Sequence, residues 1–370
     1  MRIEKVETMH VRIPLKKPTR SAHGTTTLHD SVVVRIYAEG KQYGLGGIDP
    51  MPHYDPEPAH AVVKVIESQL APLVMRQDPF QIRKIIQIMD AEVPHHWGAK
   101  ATIEIALFDL LGKQLGVPIH VLLGGRIKDE IHLNGWIGAV EPEQAKKEAR
   151  GWLEGGFRSV KVKIDPDVAT GIRRVAAVRA EGKEKLQVRV DANESLNMTQ
   201  ALETLKGMSN LDILYLEQPF PREGIQDLAS LAKSSHLKLM ADESVQDLGT
   251  LMQVLKTQAA QYVKLKIQKQ GGFLKVQQMA EIAEAFGVPV ILGHGFGLTI
   301  STLAELHLAA SCQNIIDGCE SVGPIKMSDD VVKDPIRMEK GTVPVPMKPG
   351  LGTDLDEEKI KKYRVSVVPQ

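Results

Sequence analysis

Short apolar runs and longer amphipathic segments alternate along most of this chain. From about residue 130 to 312, runs typical of buried strands are separated by segments with the spacing of amphipathic helices. The pattern repeats at nearly constant intervals, and a βα unit takes roughly 30 residues. A leucine-rich solenoid would carry a repeated leucine and asparagine signature, which this sequence lacks. The pattern therefore predicts an α/β protein built around a parallel (β/α) barrel.

Polar side chains stand at the carboxyl ends of seven consecutive predicted strands, at steps of 24 to 28 residues. These residues are Lys163, Asp191, Glu217, Asp242, Lys266, His294 and Glu320. An earlier strand, around residues 131–138, completes eight, and Trp136 lies at its end as either a substrate wall or a core residue. All such ends lie on one face of a barrel, and that face carries catalysis.

Three of the seven residues are acids on successive strands, namely Asp191, Glu217 and Asp242. Any one of them alone is explained as a turn acid or a helix N-cap. Three converging carboxylates, however, repel one another unless a cation lies between them. Oxygen-only ligands indicate Mg²⁺, with Mn²⁺ as a possible substitute. Zinc would recruit histidine or cysteine, and neither Cys312 nor Cys319 is in register with the acids.

Two of the predicted strands carry a pair of lysines each. Lys161 and Lys163 alternate with apolar residues, as do Lys264 and Lys266, so both pairs are expected to face the barrel interior. Lysine ammonium groups usually lie in solvent at an exposed edge, but a solvated edge does not explain two lysines that face the barrel interior. A lysine beside a dication and a second lysine is expected to have a lowered pKa, suited to a general base. Lys163 and Lys266, on the second and sixth strands, would bracket a bound carbon atom.

Composition and the positions of Gly- and Pro-rich stretches divide the chain into three predicted regions. They are an α+β capping domain (1–127), the barrel (128–325) and a C-terminal segment (326–370) that returns to the capping domain. Helical patterns in the first region cover residues 57–74, 79–92 and 99–116. Residues 16–30 and 44–58 have loop composition, and we expect both to hang over the barrel mouth, exclude water and decide the substrate.

Charge and hydropathy exclude several classes of partner. Basic and acidic residues balance at 46 each, which gives no reason to expect nucleic acid or an acidic membrane surface. No apolar run approaches the roughly 20 residues of a membrane helix, and the first residues lack the apolar stretch of a signal peptide. Two cysteines imply no disulfide framework. We expect a cytoplasmic protein that forms a homo-oligomer.

Taken together, these motifs resemble the muconate-lactonizing enzyme subgroup of the enolase superfamily, within the mandelate racemase/muconate lactonizing enzyme family. The resemblance covers nearly the whole chain and includes KVKID, DAN, LEQP, ADES, LKIQKQGG, GCESVGP and PGLGTDLDEE. It implies a (β/α)7β-type TIM barrel with an α+β capping domain. It also implies site roles, with Asp191, Glu217 and Asp242 as metal ligands, Lys163 and Lys266 as the acid/base pair, Lys161 on the substrate carboxylate, and Asn193, Glu243 and Lys264 in support.

The sequence departs from neighbouring subgroups at informative positions. His294 stands where the mandelate racemase subgroup has a catalytic histidine, but that subgroup has an aspartate where this chain has Lys266. His294 is therefore expected to be either a polar substrate contact or a structural residue. Glu320, within GCESVGP, is close to the cycloisomerase form and is expected to contact the substrate rather than the metal. The Asp-x-Asp pattern of dipeptide epimerases is not matched, which disfavours a dipeptide substrate.

The expected function is a Mg²⁺-dependent isomerase that removes the proton α to the carboxylate of a small carboxylic acid, through a metal-stabilised enediolate. Racemisation or epimerisation and lactone-forming cycloisomerisation both stay open, because the lysine pair fits both, while the context of Glu320 favours cycloisomerisation. One alternative is a lyase on the same site, a dehydratase or an enzyme like o-succinylbenzoate synthase. Another is a catalytically inactive binding protein, which should have lost a ligand or a lysine, whereas this chain has kept them all.

Overall fold

The computed structural model describes residues 1–21, 24–40, 42–51 and 54–365, with the backbone alone described at residues 19–21, 24 and 25. Parts of the two predicted loops, residues 22–23 and 52–53, lie outside this range. Three antiparallel strands begin the chain, and each pairs with the next. They are β1 (Ile3–Ser21), β2 (Gly24–Ala38) and β3 (Tyr43–Ile48).

The loop predictions are wrong for most of residues 16–30 and for residues 44–48. Residues 16–21 and 24–30 belong to the arms of the β1–β2 hairpin, whose pairing is irregular between Pro14 and Thr19 and then continues to Ser21 and Gly24. Backbone pairing sustains these arms without a continuous apolar face, and the β-branched threonines at 25–27 favour extended structure. Residues 44–48 form β3, whose glycines were misread as turn residues. A Cβ at Gly44 or Gly46 would collide with the backbone of the following long helix, so these glycines permit a close strand–helix contact.

Helices cover one side of this sheet. They are α1 (Ala59–Val65), a π-helical turn (Ile66–Leu70), α2 (Ala71–Val74), α3 (Ile82–Glu92), α4 (Trp97–Leu115) and α5 (Ile119–Leu122). The longest, α4, is buried along most of its length because β3 and the barrel cover opposite faces of it. It ends at Gly116, whose φ of 70° suits glycine.

Seven parallel strands in sequential order form the curled sheet of the barrel. They are β5 (Gly135–Ile137), β6 (Ser159–Lys163), β7 (Gln187–Asp191), β8 (Ile213–Glu217), β9 (Leu239–Ala241), β10 (Tyr262–Leu265) and β11 (Val290–Leu292). Residues 315–320 supply the eighth position, because Ile315 bridges to Val290 on β11 and Cys319 bridges to Leu133 beside β5. The chain therefore has the predicted (β/α)7β-type TIM barrel with an N-terminal capping domain.

Helices connect the strands and surround the barrel. They are α6 (Pro142–Glu154), α7 (Val168–Gly182, followed by the 3₁₀ turn Lys183–Lys185), α8 (Met198–Met208), α9 (Ile225–Ser234), α10 (Leu248–Thr257), α11 (Ile267–Gln270), α12 (Phe273–Ala285) and α13 (Thr299–Ser311). Side-chain caps fix several starts: Asn197 and Asp247 each accept a hydrogen bond from the backbone N–H three residues on.

Side chains fill the barrel interior at the end away from the C-terminal ends of the strands. Tyr215, Met240, Tyr262 and Ile291 form a small apolar cluster inside the barrel, separate from the large core between strands and helices. Arg189 lies in the same lower layer, where it donates to the carbonyl oxygens of Gly318 and Asp317 at 2.7 and 2.9 Å and faces the Tyr215 ring. This plug leaves only the upper end of the barrel for polar chemistry.

The last part of the chain returns to the first. A short helix, α14 (Gly323–Lys326), follows the eighth barrel position, and β12 (Thr342–Pro344) pairs with β4 (Glu130–His132) below the barrel. Helix α15 (Glu357–Tyr363) packs against β1, and Arg364 bridges to Val11. The predicted division into three regions stays a prediction. Within the described residues, none of the helices has the length and apolarity that crossing a membrane requires.

Candidate active site at the barrel mouth

Three buried acids end neighbouring strands at the barrel mouth. Asp191 and Glu217 are the last residues of β7 and β8 and pair in register, while Asp242 directly follows β9. All three are at most 2% exposed. The chain turns sharply after the first two, where Asn193 and Gln218 have φ values of 41° and 35°. Left-handed backbone at residues other than glycine is strained, and such strain is concentrated at functional sites.

Each lysine of the predicted acid/base pair contacts one of these acids. The ammonium of Lys163, at the end of β6, lies 2.6 Å from the Asp191 carboxylate and also donates to the Asn193 side chain. Lys266, directly after β10, lies 2.8 Å from the Asp242 carboxylate. The two lysines therefore flank the group of acids from the second and sixth strands.

A second layer of charges lies one step deeper in the barrel. Lys161 contacts the carboxylates of Asp191, Glu217 and Glu320 at 2.9, 3.2 and 2.7 Å. Lys264 contacts Glu217 at 3.3 Å and also pairs with Glu320. Both lysines are buried, as the alternation of their strands predicted. Glu320 is thus directed at two lysines beneath the mouth, and one of its oxygens has no hydrogen-bond partner among the described residues.

Burial and close ion pairs shift the acidity of these groups in opposite directions. Burial, reinforced by the neighbouring Asp191 charge, raises the pKa of Glu217 to about 8. Burial also raises the pKa of Glu320, but Lys161 and Lys264 lower it by more, to about 2. In contact with the carboxylates alone, both lysines of the predicted acid/base pair have a raised pKa. The lowered pKa expected beside a dication stays a prediction. Burial lowers the pKa of Lys163, but the surrounding negative charges, Asp191 first among them, together raise it above its ordinary value.

The same balance holds for Lys266, where burial lowers the pKa and the charges of Asp242 and Glu243 together raise it above its ordinary value. The sequence argument considered how a dication and a second lysine would lower the pKa of each base. It left out the carboxylates, which are the nearest charges to both ammoniums and raise the pKa. A short ion pair in a buried site favours the charged lysine.

The donor set fits a hard divalent cation. Asp191, Glu217 and Asp242 offer only carboxylate oxygens, which Mg²⁺ prefers, and their strands are adjacent. Their side chains are turned toward ammonium groups rather than toward one shared point. Accordingly, no group of three histidine, cysteine or acidic side chains in the described part of the chain is already gathered around a cation position. A cation would compete with the lysines for the same oxygens.

Two lysines that the sequence argument missed also belong to the mouth. Lys269, one helical turn after Lys266 on α11, lies 2.7 Å from the Asp242 carboxylate, and burial lowers its pKa to about 8. The LKIQKQGG motif contained this residue, so it could have been found. Lys326 ends α14 and is only 8% exposed. It lies outside the strand period, and no sequence signal indicated it.

The remaining predicted residues lie around this group. Asn193 donates to Glu243 at 3.0 Å, as a support beside Asp242 would. His294 lies 3.4 Å from Glu305 on α13, at the seam with the capping domain, and neither ring nitrogen has a hydrogen-bond partner within the described residues. Trp136 is half-buried at the end of β5, with its ring 4.6 Å from that of Trp152. Their roles stay predictions.

The segment after β3 docks onto the barrel beside Lys266. The Gln268 side chain, on α11, accepts from the Asp49 backbone at 3.1 Å and donates to Asp55 at 3.0 Å. Burial raises the pKa of Tyr54 on this segment, and the charges of Lys163 and Asp191 act on its hydroxyl. A cavity of about 40 Å³ separates the segment from the barrel. A larger cavity, about 470 Å³, lies away from the mouth near Lys113.

Comparison with known proteins identifies the family. Residues 3–124 match the mandelate racemase/muconate lactonizing enzyme N-terminal domain, and residues 144–359 match the enolase C-terminal domain-like family. A chloromuconate cycloisomerase from Cupriavidus pinatubonensis is 32% identical over 96% of both chains. An N-succinyl-L-Arg/Lys racemase from Bacillus cereus is 28% identical over 99% of this chain and 98% of that protein.

Solved structures agree with these matches. The muconate lactonizing enzyme from Pseudomonas fluorescens, complexed with muconolactone, superposes with a TM-score of 0.94 at 29% identity, over 98% of this chain and 99% of that one. Fold and relatives thus define an enzyme of the metal-dependent isomerase class. The chain belongs to the mandelate racemase/muconate lactonizing enzyme family of the enolase superfamily, in its muconate-lactonizing subgroup.

Proposed function

We propose that this protein is a Mg²⁺-dependent racemase or epimerase that removes and returns the proton α to the carboxylate of a small carboxylic acid. One observation carries the proposal: two lysines on opposite sides of the mouth, Lys163 and Lys266, each contact a buried acid at the end of a neighbouring strand. This near-symmetric arrangement suits a reaction in which a proton leaves one face of a carbon atom and returns on the other.

Asp191, Glu217 and Asp242 would hold the metal. When bound, Mg²⁺ would supply positive charge against the negative charge that develops on the substrate carboxylate. Lys161 adds a fixed positive charge beside the same acids, at 2.9 Å from Asp191. Proton abstraction beside a carboxylate creates a second negative charge, and buried cations stabilise it more effectively than water can.

The lysines carry the proton transfers. In one direction Lys163 is neutral and takes the proton while Lys266 is charged and donates one; in the other direction the roles exchange. Asp49 and Asp55 of the capping domain, both hydrogen-bonded to Gln268, would help restrict water at the mouth. Exclusion of water strengthens each electrostatic contact in the site and protects the carbanionic state from stray protons.

Lactone-forming cycloisomerisation is the second candidate, and two observations favour it. The GCESVGP motif around Glu320 is close to the cycloisomerase form, and the chloromuconate cycloisomerase is 32% identical to this chain. In this reaction a substrate carboxylate adds to an alkene, and one lysine protonates the resulting carbanion. The same three acids and the same cations serve both reactions.

Deuterium exchange at the α-carbon tests the proposal. Wild-type protein with Mg²⁺ is incubated in deuterated water with single enantiomers of N-succinyl and N-acetyl amino acids, and with cis,cis-muconate, and each product is followed by NMR and polarimetry. We expect exchange with inversion for at least one acyl amino acid, and its loss in chelator. Lactone formation from muconate without exchange of any amino-acid derivative would select the cycloisomerase. No change in any probe with Mg²⁺ present would contradict both reactions.

A further inference from the structure

Lys326 lies at the barrel mouth without an anionic partner. Its ammonium is 3.9 Å from the ring centroids of both Trp136 and Phe296, and it also lies close to Gly295. Aromatic faces attract a cation but accept no ordinary hydrogen bond from its three N–H groups. The side chain is only 8% exposed, so bulk water solvates this ammonium much less than it would at a surface.

The other lysines at the barrel mouth all have carboxylate partners. Five other buried or half-buried lysines each contact a carboxylate within 4 Å: Lys161, Lys163, Lys264, Lys266 and Lys269. Within the described residues, Lys326 alone of these six has no such contact. Burial and the nearby charge of Lys163 lower the pKa of Lys326, as expected for a cation that lacks a counter-ion. A bound anion would restore the balance.

Topology places Lys326 opposite the proposed metal ligands. The three acids end the third, fourth and fifth barrel strands. Trp136 lies on the first strand, Phe296 follows the seventh, and α14 follows the eighth position. A ligand can place its reacting carboxylate against the acids and its reacting carbon between the two lysines of the acid/base pair. The rest of such a ligand then extends toward Lys326.

We propose that Lys326 binds a second carboxylate of the substrate, at the end remote from the reacting carbon, and so selects dicarboxylates over monocarboxylates. This inference rests on the proposed function for the placement of the first carboxylate. The Trp136 and Phe296 rings flank the ammonium itself, and a carboxylate would supply the hydrogen-bond acceptors that the rings lack. Because the ammonium is already desolvated, its ion pair with a carboxylate is stronger than at a surface.

Calorimetric titration tests the proposal on ligands that differ in one charge. Succinate, glutarate and adipate are each compared with their monoamide, with and without Mg²⁺. We expect the best dicarboxylate to bind wild-type protein about 10- to 100-fold more tightly than its monoamide, as for a charge-assisted hydrogen bond in a buried site. Lys326→Met should abolish this ratio, whereas Lys326→Arg should retain most of it. Lys275→Met is the matched control, because Lys275 lies 4.1 Å from the Trp97 ring, outside the mouth.

Two results would overturn the assignment. One is wild-type protein that binds no dicarboxylate more tightly than its monoamide. The other is a Lys326→Met variant that folds normally, by its thermal midpoint, and keeps the ratio or loses affinity for both ligands equally. Deuterium exchange separates this test from the proposed function. Wild-type protein that exchanges α-protons while showing no preference for the second carboxylate contradicts the role of Lys326 alone.

Discussion

Asp242 tests the proposed metal site at the scale of one residue. Its carboxylate is 2% exposed and contacts the ammoniums of Lys266 and Lys269. Asp242→Asn keeps the shape and removes the charge that a divalent cation requires. We expect Mg²⁺ affinity to fall and turnover to drop on the order of 100-fold or more. Calorimetric titration of Mg²⁺ provides the check, with exposed Asp227→Asn as the control. Unchanged Mg²⁺ affinity would refute the ligand assignment.

The two lysines of the proposed acid/base pair make a stereochemical prediction. Each is held on its own side of the mouth by its own acid. If the reaction is a racemisation, Lys163→Ala and Lys266→Ala should each abolish deuterium exchange from one enantiomer and leave some exchange from the other. Turnover in both directions should fall about 10²- to 10⁴-fold, the range typical of a lost general acid or base. Exposed Lys233→Ala is the control, and loss of the same enantiomer in both variants would contradict the two-base scheme.

Among single residues, positions were predicted best where the residue follows the regular spacing of the barrel strands. The acids and the paired lysines were found because strand alternation and the βα repeat together determine both face and height in the barrel. Lys326 was missed because its position depends on a short helix after the last strand and on two rings from distant elements. The effect of Asp191 on the pKa of Lys163 was also missed, since it depends on a 2.6 Å contact that no sequence pattern contains.

At the scale of elements, the contact between α11 and the capping domain makes a further prediction. Gln268 joins the segment after β3 to the helix that follows Lys266, through hydrogen bonds to Asp49 and Asp55. Gln268→Ala removes them without touching the acids. We expect kcat/KM to fall about 10-fold because the cover is less well held, while Mg²⁺ affinity changes little. Exposed Gln226→Ala is the control, and an equal loss of metal affinity would show that Gln268 acts through the metal ligands instead.

Element types were predicted better in the barrel than in the capping domain. Barrel strands are short, buried and separated by helices, so composition and period agree there. In the capping domain, hydroxyl and glycine residues suggested loops at 16–30 and 44–58, although strands run through most of the first segment and through residues 44–48 of the second. The reasons are tertiary: one hairpin is sustained by backbone pairing, and Gly46 faces the close backbone of α4. Neither is visible as local periodicity.

At the scale of the whole molecule, capping domain, barrel and C-terminal segment meet at a buried pair of histidines. His120 on α5 and His307 on α13 have ring nitrogens 3.2 Å apart, and His307 lies 3.4 Å from the carbonyl oxygen of Leu351. Because the His120 backbone N–H also points at Nδ1 of His307, the neutral ring with its proton on Nε2 satisfies both contacts. A proton on Nδ1 would face another donor. The junction therefore depends on an uncharged His307.

That dependence predicts a loss of stability in acid. Burial, reinforced by His120, lowers the pKa of His307 to about 3, whereas an unfolded histidine titrates near 6.5. Between these values the unfolded chain binds a proton that the folded chain does not. The free energy of unfolding should therefore fall as pH drops below about 6.5, by up to about 1.4 kcal/mol per pH unit from this group.

Urea midpoints for wild type and His307→Gln isolate the contribution of His307, because buried carboxyls such as Glu104 act in both proteins. We expect the variant to be less stable at pH 7 and the difference to shrink toward pH 4.5, whereas exposed His236→Gln should follow wild type throughout. A difference that stays constant with pH would show that His307 contributes packing alone.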